Sequence, residues 1–419
     1  MGLLPFKRAA DPGAVEPPES STHIPAENSS ATTGHCWWLN YPVMLGILAV
    51  LLLLVVSCST GKQSTWDPVG PVAAKQLQLF NVLLWTMVVV FVLVEGALIY
   101  ALIRFRSRPG RVPSQTHGNL PLEITWTVIP TILVLGLGIW SVLTLFELDE
   151  PPSSEQNVLQ VNVTGHQWWW EFEYPDAGGG KRITTANEMR IPVDRAVKLN
   201  LESDDVLHSF WIPKLAGKMD VVPTRINKMW FKADSSRIDT LPATFYGQCA
   251  ELCGIAHAQM KMRVTVLSQE DYDAWVRNYG APTPLTGRAE VAAQTTFAVN
   301  CALCHTINPS DPATGKSRLD YDDSAVQKSR LKGFLGGLEA GLEVVPVPAP
   351  NLTDLRTRQS LGSGLLDLNV ENIRRWLQNP EDVKPGNRMT MHALIYQGGD
   401  ISLSYDEVEG LIEYLLQLQ

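Results

Sequence analysis

The chain has 419 residues, 45% hydrophobic and 18% charged, with a formal net charge of −9. That length exceeds one ordinary domain and predicts two or three folded units. The acidic balance excludes a nucleic-acid binder, which needs a basic face. Four of the six cysteines (Cys36, Cys58, Cys249, Cys253, Cys301, Cys304) form two close pairs with a histidine beside each, which is cofactor spacing and excludes a disulfide framework.

Residues 1–58 read as a disordered leader followed by a signal segment. Positions 1–35 are rich in Pro, Ser, Thr and Ala, a composition that buries too little apolar surface to fold. From Tyr41 to Val56 the chain is almost wholly apolar and ends V-V-S-C-S. Two readings stay open: a lipoprotein-type signal that leaves Cys58 as a lipidated first residue, or an uncleaved membrane helix.

Residues 75–150 predict a transmembrane helix hairpin. Positions 78–103 and 124–146 each carry the ~20 apolar residues that a helix needs to cross a bilayer. Between them R-F-R-S-R-P-G-R carries Arg104, Arg106, Arg108 and Arg111. Short basic loops stay on the cytoplasmic side, so everything from Leu148 onward is expected outside. Glu95 falls deep in the first span, where it must face a protein partner or be protonated. Glu123 begins the second, where the helix dipole favours an acid.

Residues 155–270 change to period two. L-Q-V-N-V, V-K-L-N-L and M-K-M-R-V-T-V alternate apolar with polar and are interrupted by Pro and Gly turns, which predicts an all-β barrel or sandwich. Met260 shares the parity of Met262, Val264 and Val266 and so points to the inner face of its strand. A short helix and a Pro-containing linker follow. Residues 285–419 then read as a second soluble domain, mostly α.

Cys249 to Met260 reads C-A-E-L-C-G-I-A-H-A-Q-M, and His208 ends a strand-like run upstream. Zinc held by Cys249, Cys253, His208 and His257 is one reading, and an exported disulfide is another. The inward thioether of Met260 speaks for copper, because soft sulfur with imidazole suits that metal. Two thiolates are one too many for a single blue copper. They suffice to bridge two copper ions, with Met260 and a loop carbonyl as weak axial ligands. Further on, C-A-L-C-H at 301–305 is a c-type haem attachment signal. Its thiols, Cys301 and Cys304, add across the haem vinyls and His305 becomes the proximal ligand. Met389 and Met391 are candidates for the sixth ligand, which raises the potential.

The order of these parts resembles subunit II of the haem–copper cytochrome c oxidases over roughly residues 78–268. The resemblance rests on the hairpin, G-H-Q-W-W-W-E-F-E-Y, D-V-L-H-S-F-W-I-P and C-A-E-L-C-G-I-A-H-A-Q-M. It implies a cupredoxin β-barrel holding binuclear CuA on His208, Cys249, the Glu251 carbonyl, Cys253, His257 and Met260. It further implies a magnesium ion reached by the Glu251 side chain and shared with subunit I. Trp168 matches the aromatic that receives electrons from cytochrome c, and Glu123 the carboxylate at the mouth of a proton channel. K-P-G-N-R-M resembles the loop before the distal methionine of cytochrome c domains, which selects Met389. A cytochrome c domain behind a CuA domain resembles the caa-type oxidases. The expected partners are then subunits I and III, membrane lipids, and cytochrome c or a quinol–cytochrome c reductase complex as donor. A membrane-tethered copper and haem electron-transfer protein without an oxidase core is the alternative, and a structural zinc lipoprotein with an accessory haem is a third reading.

Overall fold

The computed structural model describes residues 61–107, 110, 118–155, 157–281, 288–302, 304–307, 349–397 and 402–418, with five helical positions between 45 and 50. The chain divides into two units, Met1–Val56 and Ser57–Gln419, and the elements below belong to the second. Cys58, Arg108 and Arg111 lie outside the described residues.

Two helices, α1 (Pro71–Arg104) and α2 (Leu120–Asp149), are long and apolar enough to cross a bilayer. Pro71 opens α1 where a missing N–H costs nothing. Asn119 caps α2 by accepting from the Leu122 N–H at 3.2 Å. Within the spans most side chains are exposed on the chain itself, as they must be on segments that face lipid or partner helices.

The strands form two five-stranded sheets. The first runs β3 (Ile183–Ala186), β2 (Trp169–Tyr174), β1 (Leu159–His166), β5 (Val197–Ser203) and β8 (Asn227–Phe231). The second runs β4 (Glu188–Pro192), β10 (Lys261–Leu267), β9 (Ala243–Cys249), β6 (His208–Trp211) and β7 (Lys218–Val221). The β1–β5 and β4–β10 pairings are parallel. Period-two patterning builds the core between the sheets. Val161 and Val163 of β1, Leu199 and Leu201 of β5, and Val264 and Val266 of β10 are fully buried, each contributing about 1.5–3 kcal/mol. The helices are fastened to this domain. Val69 N–H donates to the Lys214 carbonyl at 2.7 Å, and the Trp230 indole donates to the Leu148 carbonyl at 3.0 Å. Lys75 joins Glu147 across the two helices at 2.9 Å.

Beyond β10 lie α3 (Gln269–Asn278), capped by Ser268, and α4 (Arg288–Asn300). Then come α5 (Val370–Gln378), α6 (Pro380–Val383), α7 (Arg388–His392) and α8 (Tyr405–Leu415). Phe297, Ile373, Leu377, Leu411 and Ile412 share one apolar cluster. Helices dominate this C-terminal part, and a short antiparallel ribbon, β11 (Ser360–Leu361) with β12 (Leu366–Asp367), is added to them.

The C-terminal part rests on the outer face of the second sheet. The Glu188 carboxylate accepts from the Gln359 N–H at 2.9 Å and from the Ser360 hydroxyl at 2.5 Å. Arg190 pairs with Asp354 at 3.0 Å, and the Trp275 indole donates to the same carboxylate at 2.8 Å. Arg263 meets Asp367 at 3.1 Å. This cover explains why Arg263, on the polar side of the β10 alternation, is buried as well.

Candidate metal centre

The centre is assembled where three strand ends meet. β6 begins at His208 and β9 ends at Cys249, and the two strands pair through Phe210 and Cys249. The loop after β9 turns through Cys253 and a single 3-10 turn at His257–Gln259 before β10 starts. Gly254 makes the tight approach possible. Its φ is +116°, in the region that favours glycine, and a Cβ there would lie 3.0 Å from the Trp168 ring.

The sulfurs of Cys249 and Cys253 are 3.8 Å apart, too far for a disulfide at about 2.05 Å. His208 Nδ1 lies 3.9 Å from the Cys249 sulfur and His257 Nδ1 lies 3.6 Å from the Cys253 sulfur. The Met260 thioether lies 3.8 Å from Cys253, and the Glu251 carbonyl 3.2 Å from Cys249. His208 and Met260 have no exposed surface. Each sulfur therefore has one imidazole and one weak donor beside it. Two imidazoles, two thiols, a thioether and a carbonyl exceed a closed tetrahedral site, and their softness fits copper. Glu251 is itself exposed.

Electrostatics prepare the donors. The Cys253 thiol donates toward Cys249, which draws the Cys249 thiol far below its ordinary range, with His208 assisting. The same shared proton pushes Cys253 upward. Burial works to lower the His208 imidazole, but Asp205 and Cys249 outweigh it and hold it above its usual value. Asp205 Oδ1 lies 2.8 Å from His208 Nε2, so it orients the ring and leaves Nδ1 facing the sulfurs. The sequence reading did not single out Asp205, and its spacing three residues before His208 was the available signal.

Trp168 is 8% exposed, and its indole donates to the Cys253 carbonyl at 3.0 Å. Gln167 donates to the same carbonyl at 2.7 Å. Glu123 sits elsewhere, at the start of α2, where its carboxylate accepts from the Asn119 N–H at 3.1 Å. Cys301, Cys304 and His305 lie on the turn that ends α4, with His305 N–H donating to the Cys301 carbonyl at 2.9 Å. His305 Nδ1 is 2.8 Å from the Pro350 carbonyl. Burial lowers the His305 imidazole, so the ring is neutral, with Nδ1 as the donor and Nε2 left as a lone pair. Met389, on α7, is half-buried, whereas Met391 is 52% exposed. Thr390 follows Met389, and its N–H is accepted by the Asn387 side chain at 2.9 Å.

The family described as "Cytochrome C oxidase subunit II, periplasmic domain" matches residues 177–267, and "Cytochrome C oxidase subunit II, transmembrane domain" matches residues 59–144. Cytochrome c oxidase subunit 2 of Bacillus sp. (strain PS3) is 34% identical over 396 residues, covering 92% of this chain and 99% of the relative. That of Bacillus subtilis (strain 168) is 35% identical over 385 residues, covering 89% of this chain and 96% of the relative. Cytochrome c oxidase subunit 2 of Cereibacter sphaeroides is 32% identical over 241 residues, covering 49% of this chain and 77% of the relative.

Proposed function

The chain belongs to the cytochrome c oxidase subunit II family, and we propose that it takes electrons onto a covalently bound haem c and passes them through binuclear CuA to the oxygen-reducing site of subunit I. The observation that carries this reading is the convergence of His208, Cys249, Cys253, His257 and Met260 with the Glu251 carbonyl around two sulfurs 3.8 Å apart. When bound, copper and haem supply one-electron redox chemistry, and the protein supplies orientation and electrostatics.

The chain's own part is to hold those donors still. Asp205 fixes His208, the Cys249 N–H donates to the Met260 carbonyl at 2.9 Å, and Trp168 and Gln167 tie down the Cys253 carbonyl. Such pre-arranged ligands move little when charge changes, which suits rapid transfer. In the C-terminal part, Cys301 and Cys304 would hold the haem and His305 would ligate its iron through the Nε2 that Pro350 leaves available. Met389 completes the iron site, a choice supported by its partial burial against the exposure of Met391. The exposed Glu251 carboxylate reaches a magnesium ion shared with subunit I. Glu123 marks the mouth of a proton channel in that partner, with subunit III completing the assembly. The donor is cytochrome c or a quinol–cytochrome c reductase complex. The Arg-rich turn between α1 and α2 lies in the cytoplasm, and the sheets and the C-terminal part lie outside.

Metal and haem analysis of the purified complex tests the reading. Two copper atoms and one haem c per chain are expected, with the near-infrared absorption of a binuclear thiolate centre. Zinc in place of copper, or no near-infrared band, overturns it.

A further inference from the structure

We propose that Lys384 and Arg388 are positioning residues that clamp the C-terminal part onto the Gln167–Trp168 turn, making Trp168 an internal bridge to the copper loop instead of an external landing point. The bridge rests on the reading of the C-terminal part as a haem c carrier.

Trp168 is held from both sides. Its indole N–H reaches the Cys253 carbonyl at 3.0 Å, while its own carbonyl accepts from the Lys384 ammonium and from the Ser363 hydroxyl, the latter at 2.9 Å. Lys384 is 4% exposed and donates also to the Ser363 oxygen at 2.9 Å. Burying an ammonium costs several kcal/mol unless acceptors meet it, so these carbonyl and hydroxyl acceptors make the lysine part of a built contact.

Arg388 forms the second arm. It donates to the Gln167 side-chain oxygen at 2.7 Å and lies 3.6 Å from Asp205. Gln167 holds the Cys253 carbonyl, and Asp205 holds His208. Lys384 and Arg388 thus act through Trp168 and Gln167 on the Cys253 carbonyl, and Arg388 also lies beside the Asp205 that holds His208. Shape agrees with charge. Gly386 has φ +76°, and a Cβ there would come within 2.4 Å of Ile255 on the copper loop. Lys384, Gly386 and Arg388 all lie in K-P-G-N-R-M. The run that presents Met389 is therefore the run that touches the copper loop and the backbone of Trp168, whose side chain is almost wholly withdrawn from a soluble donor.

The test uses the full chain in its oxidase complex, with Lys384→Met and Arg388→Gln singly and together. Amide hydrogen exchange is followed in peptides spanning 165–170 and 250–256. The haem-to-copper transfer rate is followed after photoreduction of the haem. Retained haem and copper bands report intact folding, and the partly exposed Arg388 gives the milder variant. The double variant is expected to raise exchange in both peptides and to slow transfer at least tenfold, with Arg388→Lys restoring part of the rate. Unchanged exchange overturns the clamp, and raised exchange with an unchanged rate overturns the bridge. A wild-type complex without haem c overturns the bridge together with the functional reading, and the exchange data still decide the clamp.

Discussion

Met260 and His166 show how single side chains set the behaviour of the centre. Met260 is fully buried with its sulfur 3.8 Å from Cys253. Leucine is close to it in volume, so Met260→Leu should cost less than about 1.5 kcal/mol of stability. It should shift the copper midpoint potential, which a redox titration of the near-infrared band measures; an unmoved potential removes Met260 from the ligand set. His166 stacks on Trp169 with ring centroids 4.2 Å apart, and burial lowers its imidazole below the ordinary value although Asp204 and Asp205 pull the other way. The unfolded chain therefore takes up the proton first as pH falls. Its stabilising contribution is complete above about pH 6.5 and is lost as pH drops from there toward the lower folded value. Thermal unfolding at pH 7.5 and pH 5 should show a loss on acidification that His166→Gln reduces; an equal loss in both proteins would acquit His166.

At the level of elements, the second sheet carries the lesson about patterning. One face of β10 was legible, because Met262, Val264 and Val266 alternate with polar residues and pack inward. The other face was not, because Arg263 looks solvated in sequence and is buried with contacts about one hundred residues away. Glu188 illustrates the same gap, since a lone acid in a short strand gives no sign that it will receive Gln359 and Ser360. The grouping of candidate donors was legible for the opposite reason: five of the six lie within twelve positions, and the chemistry of their side chains restricts the metal they would suit. Asp205 and Lys384 were missed because they act through other residues. Glu188→Gln should loosen the cover by about 1–3 kcal/mol, since a charged acceptor with two donors becomes a neutral one. Faster hydrogen exchange at 357–362 would register it, and unchanged protection would show that Asp354 and Asp367 hold the face without it.

On the scale of the whole molecule, α1 and α2, paired to each other through Lys75 and Glu147, join a membrane anchor to a strand domain through Val69 and Trp230. The orientation is open to direct labelling. In intact cells a membrane-impermeant thiol reagent should modify Ser153→Cys and spare Ser107→Cys, and the reverse pattern would invert the assigned topology. The lengths of these helices carry a consequence of their own. At ~1.5 Å per residue, the 34 residues of α1 extend roughly 51 Å, while the hydrocarbon layer is only ~30 Å thick. The helix therefore outruns the lipid, and its first turn is stepped like a mast into the strand domain, where Val72 and Ala73 are buried. The altitude of the copper ligands over the bilayer is thus counted out in helical residues, and removing four from the surplus would lower them by ~6 Å while swinging the domain by ~40° about the mast.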